Sequence, residues 1–453
     1  MLQFPLLGTG TSRVKLSQVV PGGVTKLSDF SPVADGVTDC SGAFLAASNA
    51  ALASNSNLWE GYHLVEIDQP GKYFLANPRI IQKQGLAFVG HGLDTVMVQH
   101  PTIAWVSFED CQRIGLFDIA WDANGIGAFG GIRMVSVKDL WFSGNHIFDS
   151  KAPGLFGNND ADRFSIGSTM NTEHNFDWVV EDNIVEDLQL AFSPLHRFLV
   201  RRNLSIRSPS TAAIGFWTNG DGWGITDGLV TENHIIDPKS NAFCLNKDVP
   251  GAQFACFERV TFADNLIEAF NMAPMAFQLG TASVFGQQRT DVFRQIKILG
   301  NHIIYHPSCR QQVQEQAIIR GMVAYDVDSF FFDEMDISGN VIECNGRATW
   351  GIEMRRTINS TFRSNFLFDI QGPGLNIIGK ETGPSNNIIE DNFVGTFDTG
   401  SPYWLGNSHG NLKFRNNRYS GNVATPLNYY VDGSSQSTVD GPDNVIEQPT
   451  QVS

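Results

Sequence analysis

The six cysteines (Cys40, Cys111, Cys244, Cys256, Cys309, Cys344) include no CxxC pair. That excludes a dithiol redox centre and the close thiolate pairs of a zinc ribbon. Scattered in this way, they read as reduced and mostly buried. Positive charge is scarce: 31 Lys and Arg against 47 Asp and Glu leave a formal charge of −16. Nucleic acid is a poor partner for such a chain, because phosphate neutralisation needs clustered cations. An anionic membrane surface is equally poor. No run approaches the roughly 20 apolar residues of a membrane span. The first twenty residues have no basic start and no apolar core, so they do not read as a secretory signal. The expectation is a soluble protein made in a reducing cytoplasm, with no membrane insertion and no nucleic-acid partner. Glycine and phenylalanine are plentiful, at 44 and 33 of 453 residues. Glycine suits tight turns, and phenylalanine fills a core in large pieces.

One short phrase recurs. Gly144-Asn145-His146-Ile147-Phe148 returns as Glu232-Asn233-His234-Ile235-Ile236 and as Gly300-Asn301-His302-Ile303-Ile304. Aligning on its asparagine brings up Asn145, Asn183, Asn203, Asn233, Asn265, Asn301, Asn340, Asn365, Asn392 and Asn417, at intervals of 20 to 39 residues. An apolar residue stands three positions before each, from Phe142 to Phe414, and Gly or a polar residue stands immediately before it. Short alternating segments read as strands, and the break in alternation near each Asn reads as a bend. A repeat of this size predicts a β-solenoid whose coils cover one another. The Asn is expected to point inward and bond to its equivalents about 4.8 Å above and below. Apolar residues mostly share the slot after Asn, so His146, His234 and His302 read as half-buried packing residues. They lie on coils too far apart for one metal.

Residues 28–52 carry Phe44, Ala47, Ala51 and Leu52 at helical spacing after a capping Thr38 or Asp39. One amphipathic helix over about 39–52 would close the open end of the solenoid. Around it, Ala34-Asp35-Gly36-Val37-Thr38-Asp39-Cys40, Gly71-Lys72-Tyr73-Phe74 and Phe88-Val89-Gly90-His91-Gly92 resemble the N-terminal cap of the pectate-lyase-like superfamily. The usual form there is Gly-Asp-Gly-x-Thr-Asp-Asp; Ala34 and Cys40 depart from it. The resemblance implies an all-β fold: a right-handed single-stranded parallel β-helix with an N-terminal capping helix. It divides the chain into a lead at 1–30, a β-helix at 31–430 and a polar tail or cap at 431–453. Bacteriophage tailspike depolymerases are the members it looks most like. That implies a homotrimer on a virion tail or baseplate, attached through the N-terminus, that binds or cleaves a bacterial capsule or O-antigen polysaccharide. No cofactor and no metal are implied.

A second strand follows each bend, and its outward column is expected to hold the chemistry. Aligned on Phe216, Phe243, Phe277, Ile319, Ile352 and Ile377, that column reads Trp217, Cys244, Gln278, Arg320, Glu353 and Ile378. The loop Gly215–Gly228 adds Asn219, Asp221, Trp223 and Asp227, an exposed-Trp and carboxylate composition that suits sugar rings. Lys247 and Asp248 stand on the next coil, and Arg355 follows Glu353. Glu353, between Arg320 and Arg355, is the candidate base or nucleophile, with Asp221 or Asp248 as acid. Such a pair, with room for water between, would run an inverting glycoside hydrolysis. Trp217, Asn219, Trp223, Lys247, Gln278, Arg320 and Arg355 would bind substrate. The opposing reading of Glu353 and its arginines is a surface ion-pair cluster. A lyase would instead use Lys247, Arg320 or His174 near Asp160, Asp162 and Glu173. A non-catalytic receptor-binding fibre or adhesin, or a cellular lyase or epimerase of the same fold, remains as an alternative.

Overall fold

The computed structural model describes residues 24–54, 61–76, 78–98, 106–123, 130–148, 163–167, 175–192, 194–208, 212–218, 223–247, 255–271, 273–280, 292–310, 317–321, 331–379, 385–396, 401–406, 411–423, 425–429 and 445–452. The chain forms two compact units, residues 1–206 and 207–453.

The first unit begins with the cap. Asp35 Oδ1 accepts the N–H groups of Val37 and Thr38 at 2.8 and 2.7 Å, and Oδ2 accepts the Thr38 hydroxyl. Those bonds hold the Asp35 carboxyl below its usual range and explain the Asp-Gly-x-Thr wording. Gly71 adopts φ 150°, and a Cβ there would meet Ala34 Cβ at 2.5 Å. Helix α1 (Ser41–Ala53) starts two residues later than the spacing suggests. Neither Thr38 nor Asp39 is the cap: Cys40 holds that position without a side-chain capping bond, and Asp39 Oδ1, one residue earlier, accepts the Ser41 N–H and hydroxyl. Phe44, Ala47 and Ala51 are its buried face. The Phe44 ring lies 5.7 Å from Phe88 and 6.2 Å from Tyr73, so the helix plugs the first coils. Behind it Gln84–Val98, Gln112–Asp122, Lys138–Ser143, Asn175–Glu181 and Leu195–Arg201 stack by parallel pairing.

Two left-handed residues frame a short strand in each coil that carries a repeat asparagine. One is the residue before the repeat asparagine: Gly144, Asp182 and Arg202 in the first unit; Glu232, Asp264, Gly300, Gly339, Ser364, Asp391 and Asn416 in the second, with φ between 52° and 70°. The other stands five residues earlier: Asp139, Asp177 and Arg197, then Asp227, Arg259, Gln295, Glu334, Asn359, Asn386 and Asn411, with φ between 51° and 60°. Left-handed backbone favours Gly, Asn and Asp, which accounts for the Gly-or-polar rule. The outer bend residues also hold one another across coils. Arg197 chelates Asp177 at 2.6 and 2.8 Å, Arg259 chelates Asp227 at 2.5 and 3.1 Å, and Asn359, Asn386 and Asn411 form a chain of 2.8 Å bonds.

The repeat asparagines are buried and form the expected ladder. Each donates its backbone N–H and one amide N–H to Oδ1 of the next. Asn145 to Asn183 to Asn203 runs in the first unit, and Asn233 through Asn265, Asn301, Asn340, Asn365 and Asn392 to Asn417 in the second. Most direct the other amide hydrogen to a main-chain carbonyl, as Asn301 does to Phe262. Inside the second unit Phe262 is wedged among Phe216, Phe243 and Phe277 at 6.2, 5.4 and 5.5 Å.

Two expectations are corrected. The histidines after the asparagines do more than pack: His234 and His302 meet Glu268 and Glu343 at 2.6 and 2.7 Å, and His146 lies 3.3 Å from Glu186. The partner is the carboxylate two residues along the next strand, a spacing the alignment did not weigh. The C-terminal tail is not merely a polar cap. Val445–Ile446 and Thr450–Gln451 continue the coil on Lys413–Phe414 and Arg418–Tyr419. That register sets Pro449 against Asn417 and ends the ladder. In the acidic run before Asp336, Asp333 is a rung, bonded to Arg294 and Asn359; Tyr325–Phe330 lie outside the described residues. The cysteines are free and buried or half-buried. Burial pushes the Cys256 and Cys309 thiols up to about 11.

Candidate functional site

One face of the second unit is a parallel sheet of strands β1 (Ile214–Thr218), β2 (Asn241–Lys247), β3 (Met275–Leu279), β4 (Ala317–Gly321), β5 (Trp350–Ile358), β6 (Leu375–Gly379), β7 (Tyr403–Gly406) and β8 (Leu427–Tyr429). Its core column is Ile214, Phe243, Phe277, Ile319, Ile352, Leu375, Tyr403 and Leu427. Side chains alternate along a strand, so the outward column is Gly215, Cys244, Gln278, Arg320, Glu353, Asn376, Trp404 and Asn428. The sequence alignment finds the right face and joins Gln278, Arg320 and Glu353 correctly. It is wrong by two residues at both ends. Trp217 pairs with Asn246 instead of Cys244, and Asn376 instead of Ile378 faces Glu353.

Glu353 is 1% exposed. Arg320 Nε lies 2.8 Å from its Oε2, and Arg355 Nε donates to its Oε1 at 2.9 Å. The two arginines are 18% and 14% exposed. The cluster is therefore an enclosed clamp, not a surface ion pair. Two cations around one carboxylate leave a local excess of positive charge in a strongly acidic chain. Gln278 is committed as well: its Oε1 accepts Asn241 Nδ2 at 2.5 Å, and its Nε2 donates to the Gly280 carbonyl at 3.1 Å.

Trp217, expected as an exposed stacking platform, is 4% exposed. Asn219, Asp221 and Asp248 lie outside the described residues, as do the side chains of Trp223 and Lys247. So do Asp160, Asp162, Glu173 and His174. Two features escaped the sequence reading. Asn376, hidden in the apolar phrase Gly374–Gly379, is 1% exposed between Glu353 and Trp404. Trp404 and Trp350 are half-buried, and their rings lie 6.1 Å apart. A lone amide in an apolar strand, and a Trp at an outward alternation position, were the signals available.

No family model and no curated protein matches the chain. Solved structures do. Tailspike protein 3 of bacteriophage CBA120 is 13% identical over 94% of this chain and 61% of its own, with a TM-score of 0.51. The N-terminal fragment of bacteriophage phi29 gene product 12 is 10% identical over 89% of this chain and 70% of its own, also at 0.51. The Streptococcus pneumoniae surface protein and adhesin PfbA is 11% identical over 90% of this chain and all of its own, again at 0.51. At these identities the likeness is one of fold. The chain has a right-handed parallel β-helix fold.

Proposed function

We propose that the protein binds a bacterial surface polysaccharide along the outward face of β3–β7 and depolymerises it, in the manner of a phage tailspike. The observation that carries this is the outward column. It offers one polar or aromatic side chain per coil, from Gln278 through Arg320, Glu353 and Asn376 to Trp404. At about 4.8 Å per coil these five rungs span roughly 19 Å, room for an extended oligosaccharide. Hydrolysis would pair Glu353 with Asp221 or Asp248. A second reading, binding without cleavage, draws support from the clamp: both Glu353 oxygens face guanidinium groups, and the carboxylate is closed to water.

The same reading includes a homotrimer attached to a virion tail. Outward positions of the short strands after the Asn ladder carry Leu266, Ile304, Val341, Phe366, Phe368 and Phe393, all at least partly exposed. His302, Glu268 and Glu343 interrupt these columns, but Val341, Phe366 and Phe393 are consecutive, and a half-exposed apolar patch of this kind suits association with copies of itself. Light scattering would give the mass of three chains; a monomer at micromolar concentration would remove the assembly part of the proposal.

The activity test is incubation with a panel of capsular and O-antigen polysaccharides. New reducing ends would be followed together with the ultraviolet absorbance of unsaturated uronic acids. Reducing ends without absorbance are the expected result. Absorbance would mean β-elimination. Binding with neither signal would favour the adhesin reading, and no binding across the panel would count against the whole proposal.

A further inference from the structure

Asn376 stands in the middle of the outward column, and neither its Oδ1 nor its Nδ2 has a hydrogen-bond partner among the described residues. The ladder shows how this chain treats a buried amide whose role is structural. Asn301 gives its backbone N–H and an amide N–H to Asn340, the amide also donates to Phe262, and its Oδ1 accepts twice from Asn265. Asn376 is as deeply buried and uses none of that capacity. Buried polar groups are nearly always satisfied, so an idle donor and acceptor on one side chain ask for a partner from outside the chain. Its neighbours in the column do not supply one. Glu353 is held by Arg320 and Arg355, and Trp404 presents an indole next to the Trp350 ring.

We infer that Asn376, Trp404 and Trp350 form a subsite for one pyranose residue, an inference that rests on the polysaccharide reading above. Two vicinal hydroxyls offer a donor and an acceptor to a single amide. A carboxylate alone only accepts and an ammonium alone only donates, so the amide selects a sugar diol, which neutral and uronic pyranoses both carry. The C–H face of a sugar ring suits an indole, which supplies the apolar half of the contact. Asn376 is covered in the ligand-free chain and Trp404 is the adjacent rung. Because Trp404 is the rung beside the amide, a sugar bound there changes the environment of that indole.

The test uses the intact chain and single sugars as probes: the methyl glycosides of glucose, galactose, mannose and rhamnose, with methyl glucuronide as the acidic member. Indole fluorescence and calorimetric titration are the readouts. At least one glycoside should shift the emission and bind by calorimetry, and Trp404→Phe should weaken the binding read by calorimetry. Asn376→Leu should weaken binding at least about tenfold, as for a site built around a hydroxyl, with a melting temperature equal to or above that of the parent. If Asn376→Leu does not fold, Trp404→Phe at its half-buried neighbour carries the test. The subsite is wrong if no glycoside binds, or if calorimetric binding survives both substitutions unchanged. Polysaccharide binding that persists in both variants would remove the subsite and leave the broader function standing. Glycoside binding weakened in both variants, beside a silent polysaccharide panel, would do the reverse.

Discussion

At the scale of a residue, the chain separates polar groups that carry structure from polar groups that wait on the outside. Asn301 belongs to the first kind. Asn301→Ala leaves the N–H and an amide N–H of Asn265 without their acceptor. Each orphaned buried group costs about 1–3 kcal/mol. Asn411→Asp breaks a bond between exposed side chains and keeps a residue suited to φ 55°. Its cost should stay within about 0.5 kcal/mol. Thermal midpoints should separate the two variants clearly; equal midpoints would mean that the ladder is ornamental. Glu353 is the harder case. Its burial between two arginines ties it to stability as well as to chemistry. Removing one member of a buried ion pair costs roughly 3–5 kcal/mol, and partial exposure of the arginines lowers that figure here. The melting temperature should fall, and Arg320→Met added to Glu353→Gln should recover part of the loss. Recovery would show coupling between the two; simple additivity would refute the clamp. Activity of Glu353→Gln therefore has to be read well below its own melting point.

At the scale of an element, each coil is fixed by two left-handed bends and an apolar residue between them. Phe262, fully buried and enclosed by three other phenylalanines, is that residue in one coil. Phe262→Ala should cost about 3–5 kcal/mol, read as a shift in denaturant midpoint; a change near zero would mean that the coil is not packed as described. This layer was legible in the sequence because the offsets from −3 to +2 around Asn do not depend on loop length. Hence Phe262, Ile298 and Ile337 fall in one column whether a coil is 36 or 39 residues long. The outward face was legible only in part. A small residue before an apolar one marked the second strand, but both Ala213-Ile214 and Gly215-Phe216 satisfy that cue, and hydrogen bonding selects the first pair. Alternation still put Trp217 on the correct face. Its burial, like that of Glu353, is set by side chains from other coils, which one strand's sequence does not contain. Asn376 was missed because four of the five residues in β6 are apolar or glycine, so the strand reads as core.

At the scale of the whole molecule, pH acts through two opposing effects. The charge of −16 at pH 7 makes the chain repel itself. Acidification toward the isoelectric point near 5.0 relieves that repulsion and should leave stability level or slightly higher. Below it, specific carboxylates take over. The Arg79 guanidinium, bonded to Glu109 at 3.0 Å, holds that carboxyl below its usual range, and Arg197 does the same for Asp177. At Asp68 burial pushes upward, but the Ser28 hydroxyl and N–H outweigh it and the net shift is downward. A carboxyl whose folded value lies below its unfolded value binds fewer protons when folded. Its stabilisation is complete above the unfolded value of about 4 and is lost as pH falls through the folded value. The melting temperature, followed by circular dichroism, should therefore be nearly flat from pH 7 to about 5 and fall below about 4. Glu109→Gln should flatten part of that fall, by a modest amount because its partner Arg79 is largely exposed and the pair is screened. A melting temperature that stays constant to pH 2, or a fall that Glu109→Gln leaves unchanged, would show that these carboxylates are not what ties the fold to pH.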